Sequence, residues 1–215
     1  MSFYRRLIDA TRHEQEALLE IPFVARALRG EISHAGYRGF LEQAYHHVKH
    51  TVPLLMATGA RTSVTRPWMG RAICEYIDEE QGHEEWVLSD LAAAGGDAAA
   101  TRSGVPDLPC ELLVAYVYDQ VQRVSPLCFF GMVHVLEGTS VRAASQAAER
   151  IQSNLGLPPQ AFTYLTSHGA LDQEHTRFFG DLMDRVEDER DQAHVLHSAH
   201  VCFRLYGDVF RNLAA

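Results

Sequence analysis

Apolar residues recur at helical spacing along nearly the whole chain of 215 residues. The i, i+3, i+4 pattern resumes after each punctuating segment, and no stretch keeps the strict alternation that a half-buried strand requires. The sequence therefore predicts an all-α fold, a bundle of helices. Proline, glycine and capping residues set the expected bounds of the helical segments, at about 3–29, 34–60, 67–94, 109–154, 159–187 and 189–213.

Three prolines interrupt these segments. Pro22 is expected to break the first, Pro53 to kink the second, and Pro126 to restart or bend the fourth. Ser33 is a predicted N-cap at the start of the second segment. The stretch "AAAGGDAAATRSGVPDLP" at 92–109 is the longest predicted loop. Because the helical pattern resumes after it, we expect one domain over 1–215.

Composition and charge exclude several classes of partner. The chain has a formal net charge of -9 and no cluster of lysine and arginine, so neither nucleic acid nor an anionic membrane is an expected partner. The N-terminal stretch is charged and amphipathic, and no run of eighteen uncharged apolar residues occurs, which predicts a cytoplasmic protein. Its four cysteines form no CxxC pair, so reduced thiols are expected.

The stretch "SHGALDQEHTRFF" at 167–179 carries three ionisable residues at steps of four and three. On a helix, His168, Asp172 and His175 fall within a narrow arc, on the same stripe as Leu165 and Phe179. That stripe should face the core, where an unpaired charge is costly. Two imidazoles and a carboxylate form a ligand set for Fe, Mn or Zn; a hydrogen-bonded core triad is the alternative.

A second motif, "EYIDEEQGHEEW" at 75–86, contains an inward Glu-x-x-His pair. On one continuous helix, Glu80 and His83 share the side that carries Tyr76, while Glu79 lies on the opposite flank. Helical bundles build dinuclear carboxylate sites from such pairs. Alone, the signal is weak, because acidic helices contain Glu-x-x-His by chance.

Glu137 is the single formal charge in "VSPLCFFGMVHVLEGTSV" at 124–141. A carboxylate on that apolar stretch should be protonated, or ionised and compensated by a positive charge such as a metal ion. The alternative is a buried glutamate that bonds a tyrosine or histidine, and His134 lies one turn away. Gly131 and Gly138 would let a neighbouring helix or a ligand approach closely.

Together these residues supply donors from three helical segments to one proposed site for two divalent ions. His47 is a tentative further ligand, at the flank of an apolar stripe that turns His46 and His50 away. The expected ligands are Glu80, His83, Glu137, His168, Asp172, His175 and, tentatively, His47. The prediction requires that their side chains converge.

The order of these motifs resembles that of the heme-oxygenase-like diiron oxidases and oxygenases of the TenA/PqqC-like superfamily. Glu-x-x-His is followed by an isolated glutamate and then by His-x3-Asp-x2-His, and the stretches "EEQGHEEWVLSDL" and "SHGALDQEHTRFF" are similar to that family. Residues 10–48 also resemble the start of a heme oxygenase. The resemblance implies a heme-oxygenase-like bundle of about seven helices, a homodimer, and dioxygen activation at an Fe/Fe or Mn/Fe pair.

The sequence departs from these relatives at three places. Gln15 stands where heme oxygenases carry the proximal histidine, and His13 should face elsewhere, so no haem is expected. Thiaminase-type relatives use a cysteine ahead of an acidic residue, but the separation of Cys128 and Glu137 does not match theirs. A histidine-rich turn at 46–50 replaces the first carboxylate of many diiron relatives.

These observations lead to the hypothesis of a non-haem dinuclear-metal oxidase or oxygenase that acts on a small organic substrate. One alternative is a metal-independent enzyme of thiamine or quinone cofactor metabolism, in which Cys128 or the histidines act on a heterocycle. Another is a non-catalytic relative that binds a ligand. Fe/Fe and Mn/Fe remain open, because both pairs accept the same nitrogen and oxygen ligands.

Overall fold

A computed structural model describes the backbone of residues 1–214, and the side chains of these residues except 139–143, 145 and 168–175. The described backbone is helical and contains no strand, which confirms the predicted all-α class. The helices are α1 (Phe3–Ala10), α2 (Arg12–Leu19), α3 (Pro22–Leu28), α4 (His34–Val48), α5 (Thr51–Thr62), α6 (Pro67–Glu80), α7 (His83–Ala93), α8 (Ala98–Ser103), α9 (Leu108–Arg123), α10 (Phe129–Leu155), α11 (Thr163–Asp184) and α12 (Glu189–Asn212). Short 3-10 turns at Pro126–Cys128 and Pro159–Ala161 precede α10 and α11.

Several predicted segments divide into shorter helices, so the described chain has more helices than the seven expected. The Ser33 cap is confirmed, since its side chain accepts a hydrogen bond from the Gly36 N–H at 3.0 Å. The second segment breaks at Lys49–His50 rather than at Pro53, because Pro53 lies in the first turn of α5, where its missing N–H has no intrahelical partner to lose. The predicted loop at 92–109 contains α8, whose N-cap Asp97 accepts from the Ala100 N–H at 2.9 Å.

Two clusters of buried apolar residues form the core, and α10 contributes to both. One gathers Phe130 of α10 with Phe179 of α11 and Met69 of α6. The other gathers Ile151, at the far end of α10, with Leu41 of α4 and others. Since α10 packs against α3, α9, α11 and α12, it is the central helix of the bundle. Across residues 1–214, no helix combines the length and the apolar composition that crossing a bilayer requires.

Gly131 brings α10 into close contact with α12. A Cβ atom at this position would lie 2.6 Å from the Ala199 backbone nitrogen and 2.7 Å from the Ser198 Cβ. The prediction that Gly131 permits close helix approach is therefore confirmed. At Gly138 the nearest atom of the described residues would be the Gln15 amide nitrogen, at 3.9 Å, which is an ordinary van der Waals contact.

We predict that Gly131→Ala lowers the free energy of unfolding by about 1–3 kcal/mol, because the added methyl group would meet the backbone of a packed helix. Gly39→Ala is the matched control within α4, since its Cβ would meet only the Leu213 side chain at 3.5 Å. That substitution should raise stability by up to about 1 kcal/mol through helix propensity. Urea unfolding of both variants measures the difference, and equal stabilities would contradict the close approach.

Candidate metal centre

Glu80 and His83 face each other across a break between two helices, not along one continuous helix as predicted. Helix α6 ends at Glu80 and α7 begins at His83, and Gly82 between them has φ +94°. This left-handed conformation costs glycine little and other residues more. The predicted pairing nevertheless forms, with 3.1 Å between Glu80 Oε2 and His83 Nδ1.

The surroundings of His83 fix the orientation of its ring. The residue is 1% exposed, and the Trp86 ring lies 4.2 Å away between centroids. A carboxylate at Nδ1 favours the tautomer with the proton on that nitrogen, which directs the lone pair of Nε2 to the opposite edge of the ring. Metal-binding histidines commonly have such a carboxylate partner at the other ring nitrogen.

Glu137 lies near tyrosines from two other helices. Burial first, then the charge of Glu137 and a hydrogen bond to it, raise the pKa of Tyr76 well above its ordinary value. Burial and then the same charge raise the pKa of Tyr4. The alternative interpretation of Glu137, a glutamate that bonds a tyrosine, therefore agrees with its contact to Tyr76.

His134 contacts α2. Its Nε2 lies 2.9 Å from the Thr11 Oγ1, and the Thr11 hydroxyl itself donates to the Leu7 carbonyl at 2.8 Å. The His134 Nε2–H is therefore the donor to Thr11. Burial lowers the pKa of His134 to about 4, so this ring is neutral at physiological pH.

A cavity of about 170 Å³ brings several of these groups together. Its polar lining includes His47 of α4, Tyr76 and Glu80 of α6, and Glu137 of α10, and most of the remaining lining is apolar. Three of the predicted ligands thus come from three different helices to one cavity. Tyr76 lines this cavity, whereas Tyr116, Tyr118 and Phe130 do not belong to its described lining.

The histidines of the turn at 46–50 have separate environments. His47 lines the cavity and packs edge-on against the Tyr206 ring, with 5.8 Å between centroids. His46, which was predicted to turn away from the stripe of His47, does not belong to the described lining of the cavity. It is nevertheless only 3% exposed, and its Nδ1 lies 3.3 Å from the Lys49 Nζ. His50 contacts the Tyr118 hydroxyl at 3.2 Å.

His168, Asp172 and His175 lie outside the residues whose side chains the structure describes. Among the described residues, no group of three or more potential ligands is close enough to hold a metal ion. Contacts at either end of α11 nevertheless locate the helix. The Tyr164 N–H donates to Asp90 Oδ2 at 2.7 Å, and the Phe178 ring lies 5.1 Å from that of Tyr76.

Asp90 is a structural residue that the sequence analysis missed. It is fully buried, and it supplies an acceptor to the start of α11, where the N-cap residue Phe162 makes no side-chain cap. Burial raises the pKa of Asp90 to about 6, while hydrogen bonds from Tyr164 and Thr163 act in the opposite direction. Like Glu137, Asp90 is the single formal charge of an apolar stretch, in this case residues 86–96.

Gln15 and Cys128 bear on the haem ligation and the cysteine nucleophile of the relatives. The Gln15 side-chain amide donates to the Gly138 carbonyl at 2.9 Å, which joins α2 to α10, while His13 is exposed. Cys128 is buried, burial raises the pKa of its thiol, and it does not belong to the described lining of the cavity. A buried thiol with a raised pKa is a poor nucleophile.

Comparisons with known proteins agree with this architecture. A family model described as "iron-containing redox enzyme" matches residues 38–207. A search of curated proteins gives no match.

Solved structures with the same fold include a domain of unknown function with a heme oxygenase-like fold from Shewanella denitrificans, at TM-score 0.86 and 23% identity, covering 96% of this chain and 89% of that chain. A TenA homologue from Pseudomonas syringae has TM-score 0.79 and 13% identity, with 97% and 90% covered. A heme oxygenase from the cyanobacterium Synechocystis, in complex with heme, has TM-score 0.77 and 13% identity, with 98% and 91% covered. The expected heme-oxygenase-like fold is confirmed.

We predict that Asp90 makes the natural protein more stable at low pH than at high pH, and that Asp90→Asn abolishes this dependence. Because the pKa of Asp90 is about 6 in the folded protein and 3.8 ordinarily, folding takes up a proton between these values, and stability falls as pH rises through about 6. Relative to Asp90→Asn, the natural protein should gain on the order of 1 kcal/mol between pH 8 and pH 5.

Urea unfolding at the two pH values measures this effect, since contributions common to both proteins cancel. Asp90→Ala, which also removes the acceptor of the Tyr164 N–H, should be less stable than Asp90→Asn at both pH values. A stability difference between Asp90→Asn and the natural protein that stays constant with pH would contradict the assignment.

Proposed function

This chain belongs to the iron-containing redox enzyme family, and from that premise we propose that it is a non-haem oxidase or oxygenase. It would hold two iron ions, or one manganese and one iron ion, and activate dioxygen for the oxidation of a small organic substrate. The single observation that carries the proposal is that Glu80, Glu137 and His47, from three helices, line one largely apolar cavity.

Electrostatics favours a cation at this place. Two carboxylates at one apolar cavity repel each other, and burial disfavours their charged forms. A divalent ion compensates both charges, and imidazole with carboxylate is a ligand set that suits iron and manganese. The donor types of the described residues therefore fit such a centre.

The position of α11 supports the assignment of its three residues. The contacts Asp90–Tyr164 and Tyr76–Phe178 show that α11 runs antiparallel to α6 and α7. The two contacts lie fourteen residues apart on both sides, from Tyr76 to Asp90 on one side and from Tyr164 to Phe178 on the other. Glu80 and His83 fall within the first interval. We therefore propose that His168, Asp172 and His175, within the second, complete the ligand set.

The other residues of the chain have defined tasks in this proposal. When bound, the metal ions would supply the electrons and the coordination positions that reduce dioxygen. Glu80 holds the His83 ring in one tautomer, and Tyr76 keeps its phenolic proton beside Glu137, because its pKa is raised. The apolar lining excludes water from the reacting groups.

The haem and cysteine alternatives have less support. Gln15 presents an amide nitrogen that bonds a backbone carbonyl, and an amide is not a haem ligand of the kind that proximal histidines provide. The buried thiol of Cys128 is protonated at neutral pH, because its pKa is raised. We therefore propose a centre without haem and a reaction without a cysteine nucleophile.

We expect about two metal ions per chain after anaerobic loading with Fe(II) and removal of unbound metal, counted by plasma mass spectrometry. His83→Ala, Glu137→Gln, His168→Ala and His175→Ala should each lower the count by about one ion or more, because each removes a donor. His13→Ala is the control, since that histidine is exposed and should leave the count unchanged.

Exposure of the loaded protein to air provides a second measurement. Oxygen uptake at an electrode should accompany metal loading, and it should fall with the metal count in the variants. Fewer than about one ion per chain in the natural protein, or a count that none of the four substitutions changes, would refute the dinuclear proposal.

A further inference from the structure

The cavity that contains the proposed centre extends far beyond it along α10. Residues of α10 line the cavity from Phe129 to Ile151 at helical spacing, so the cavity follows one face of this helix. At 1.5 Å per residue, these two positions are about 33 Å apart. Glu137 lies between them, about 21 Å from Ile151.

Polar and apolar groups occupy different parts of this cavity. Its ionisable groups other than tyrosine, among the described lining residues, are His47, Glu80 and Glu137. From Glu137 toward Ile151 the lining becomes apolar, with contributions from α3, α4, α10, α11 and the segment before α4. The apolar residues there include Phe23, Val24, Ala27, Ala147 and Ile151.

Tyr37 also lines this part of the cavity, and its hydroxyl is already hydrogen-bonded. The Tyr37 hydroxyl donates to the Ala161 carbonyl at 2.6 Å, and burial raises its pKa above the ordinary value. No lysine or arginine belongs to the described lining. A substrate that extended a second polar group toward Ile151 would leave that group without a charged partner there, which should weaken binding at least about tenfold.

We propose that the substrate carries an unbranched hydrocarbon tail, which runs from Glu137 along the α10 face toward Ile151, with its polar end at Glu80, Glu137 and His47. The inference rests on the proposed function only for what happens at that polar end. Each methylene of the tail leaves water for an apolar wall, which favours binding by a factor of roughly three to four. Free amino acids and sugars, which are polar along their whole length, would gain nothing from this part of the cavity.

Titration calorimetry of the metal-free protein with linear alcohols tests the proposal. We expect 1-octanol to bind roughly tenfold more tightly than 1-hexanol, because two more methylene groups are buried. The diol 1,8-octanediol has the same length but places a hydroxyl group at the apolar end, and it should bind at least about tenfold more weakly than 1-octanol. Equal affinities for the diol and 1-octanol, or for 1-hexanol and 1-octanol, would overturn the proposal.

Variants of α3 locate the tail. Ala27 lines the cavity, so Ala27→Phe should fill part of the apolar end and weaken 1-octanol at least about tenfold, with a smaller effect on 1-hexanol. Ala25→Phe is the matched control on the same helix, since Ala25 is equally half-buried and does not belong to the described lining. An unchanged 1-octanol affinity in Ala27→Phe would exclude this path for the tail, and the alcohol series on the natural protein stands whether or not either variant folds.

The two proposals fail in different experiments. His83→Ala should lower the metal count but leave 1-octanol binding to the metal-free protein within about threefold, because His83 is a proposed metal ligand and does not belong to the described lining of the cavity. If metal loading fails while the alcohol series behaves as expected, the proposed tail site is supported and the proposed oxidase is refuted. If the alcohols bind without regard to length while two metals load, the centre remains and the substrate class is wrong.

Discussion

The hydrogen bond from the Tyr164 N–H to Asp90 joins the two halves of the proposed site. Helix α7 begins at His83 and carries Asp90 two turns later, on the same face. Helix α11 begins beside Asp90 and extends past the level of His83. Because a buried carboxylate must be hydrogen-bonded, the contact fixes how far α11 slides along α7. The register of the proposed ligands follows from it.

The same physical cost governs the rest of the site. Buried ionisable groups persist only where a partner compensates them, and the bundle supplies such partners in different ways. Asp90 is balanced by backbone N–H groups, and its pKa is nevertheless raised to about 6. His134 stays neutral and donates to Thr11. Glu80 and Glu137 share a cavity with His47, and a divalent ion is the partner that would compensate both carboxylates at once.

The cavity combines two environments that serve different parts of a reaction. Around Glu137 it offers nitrogen and oxygen donors, and toward Ile151 it offers hydrocarbon walls from α3 and α10. Such a division orients a ligand without many directional contacts, since only one end of a tailed molecule can face each environment. A solved structure with the same fold, from Synechocystis, holds heme, although the sequence of this chain predicts a centre without haem. The lining of this cavity, rather than the fold, therefore carries the proposal about substrate class.

Local breaks show where prediction from sequence reaches its limit. The periodic pattern predicted the α-helical class and the pairing of Glu80 with His83, but it placed both on one continuous helix. Gly82 instead adopts φ +94° and starts a new helix, and the pair still forms at 3.1 Å. A glycine within "EEQGHEE" is compatible with either outcome, and the packing of α7 on α11 and α4 selects between them.

The sequence by itself determined the helical class, the pairing of Glu80 with His83, and the donor types that suit iron or manganese. It did so because these properties depend on residues within a few turns of one another. Only the tertiary structure decided that Asp90 caps α11, that His134 bonds Thr11, and that the cavity is apolar toward Ile151. Those features join residues far apart in the chain, 74 positions in the case of Asp90 and Tyr164. The spacing within one helix carries no information about which distant helix packs against it.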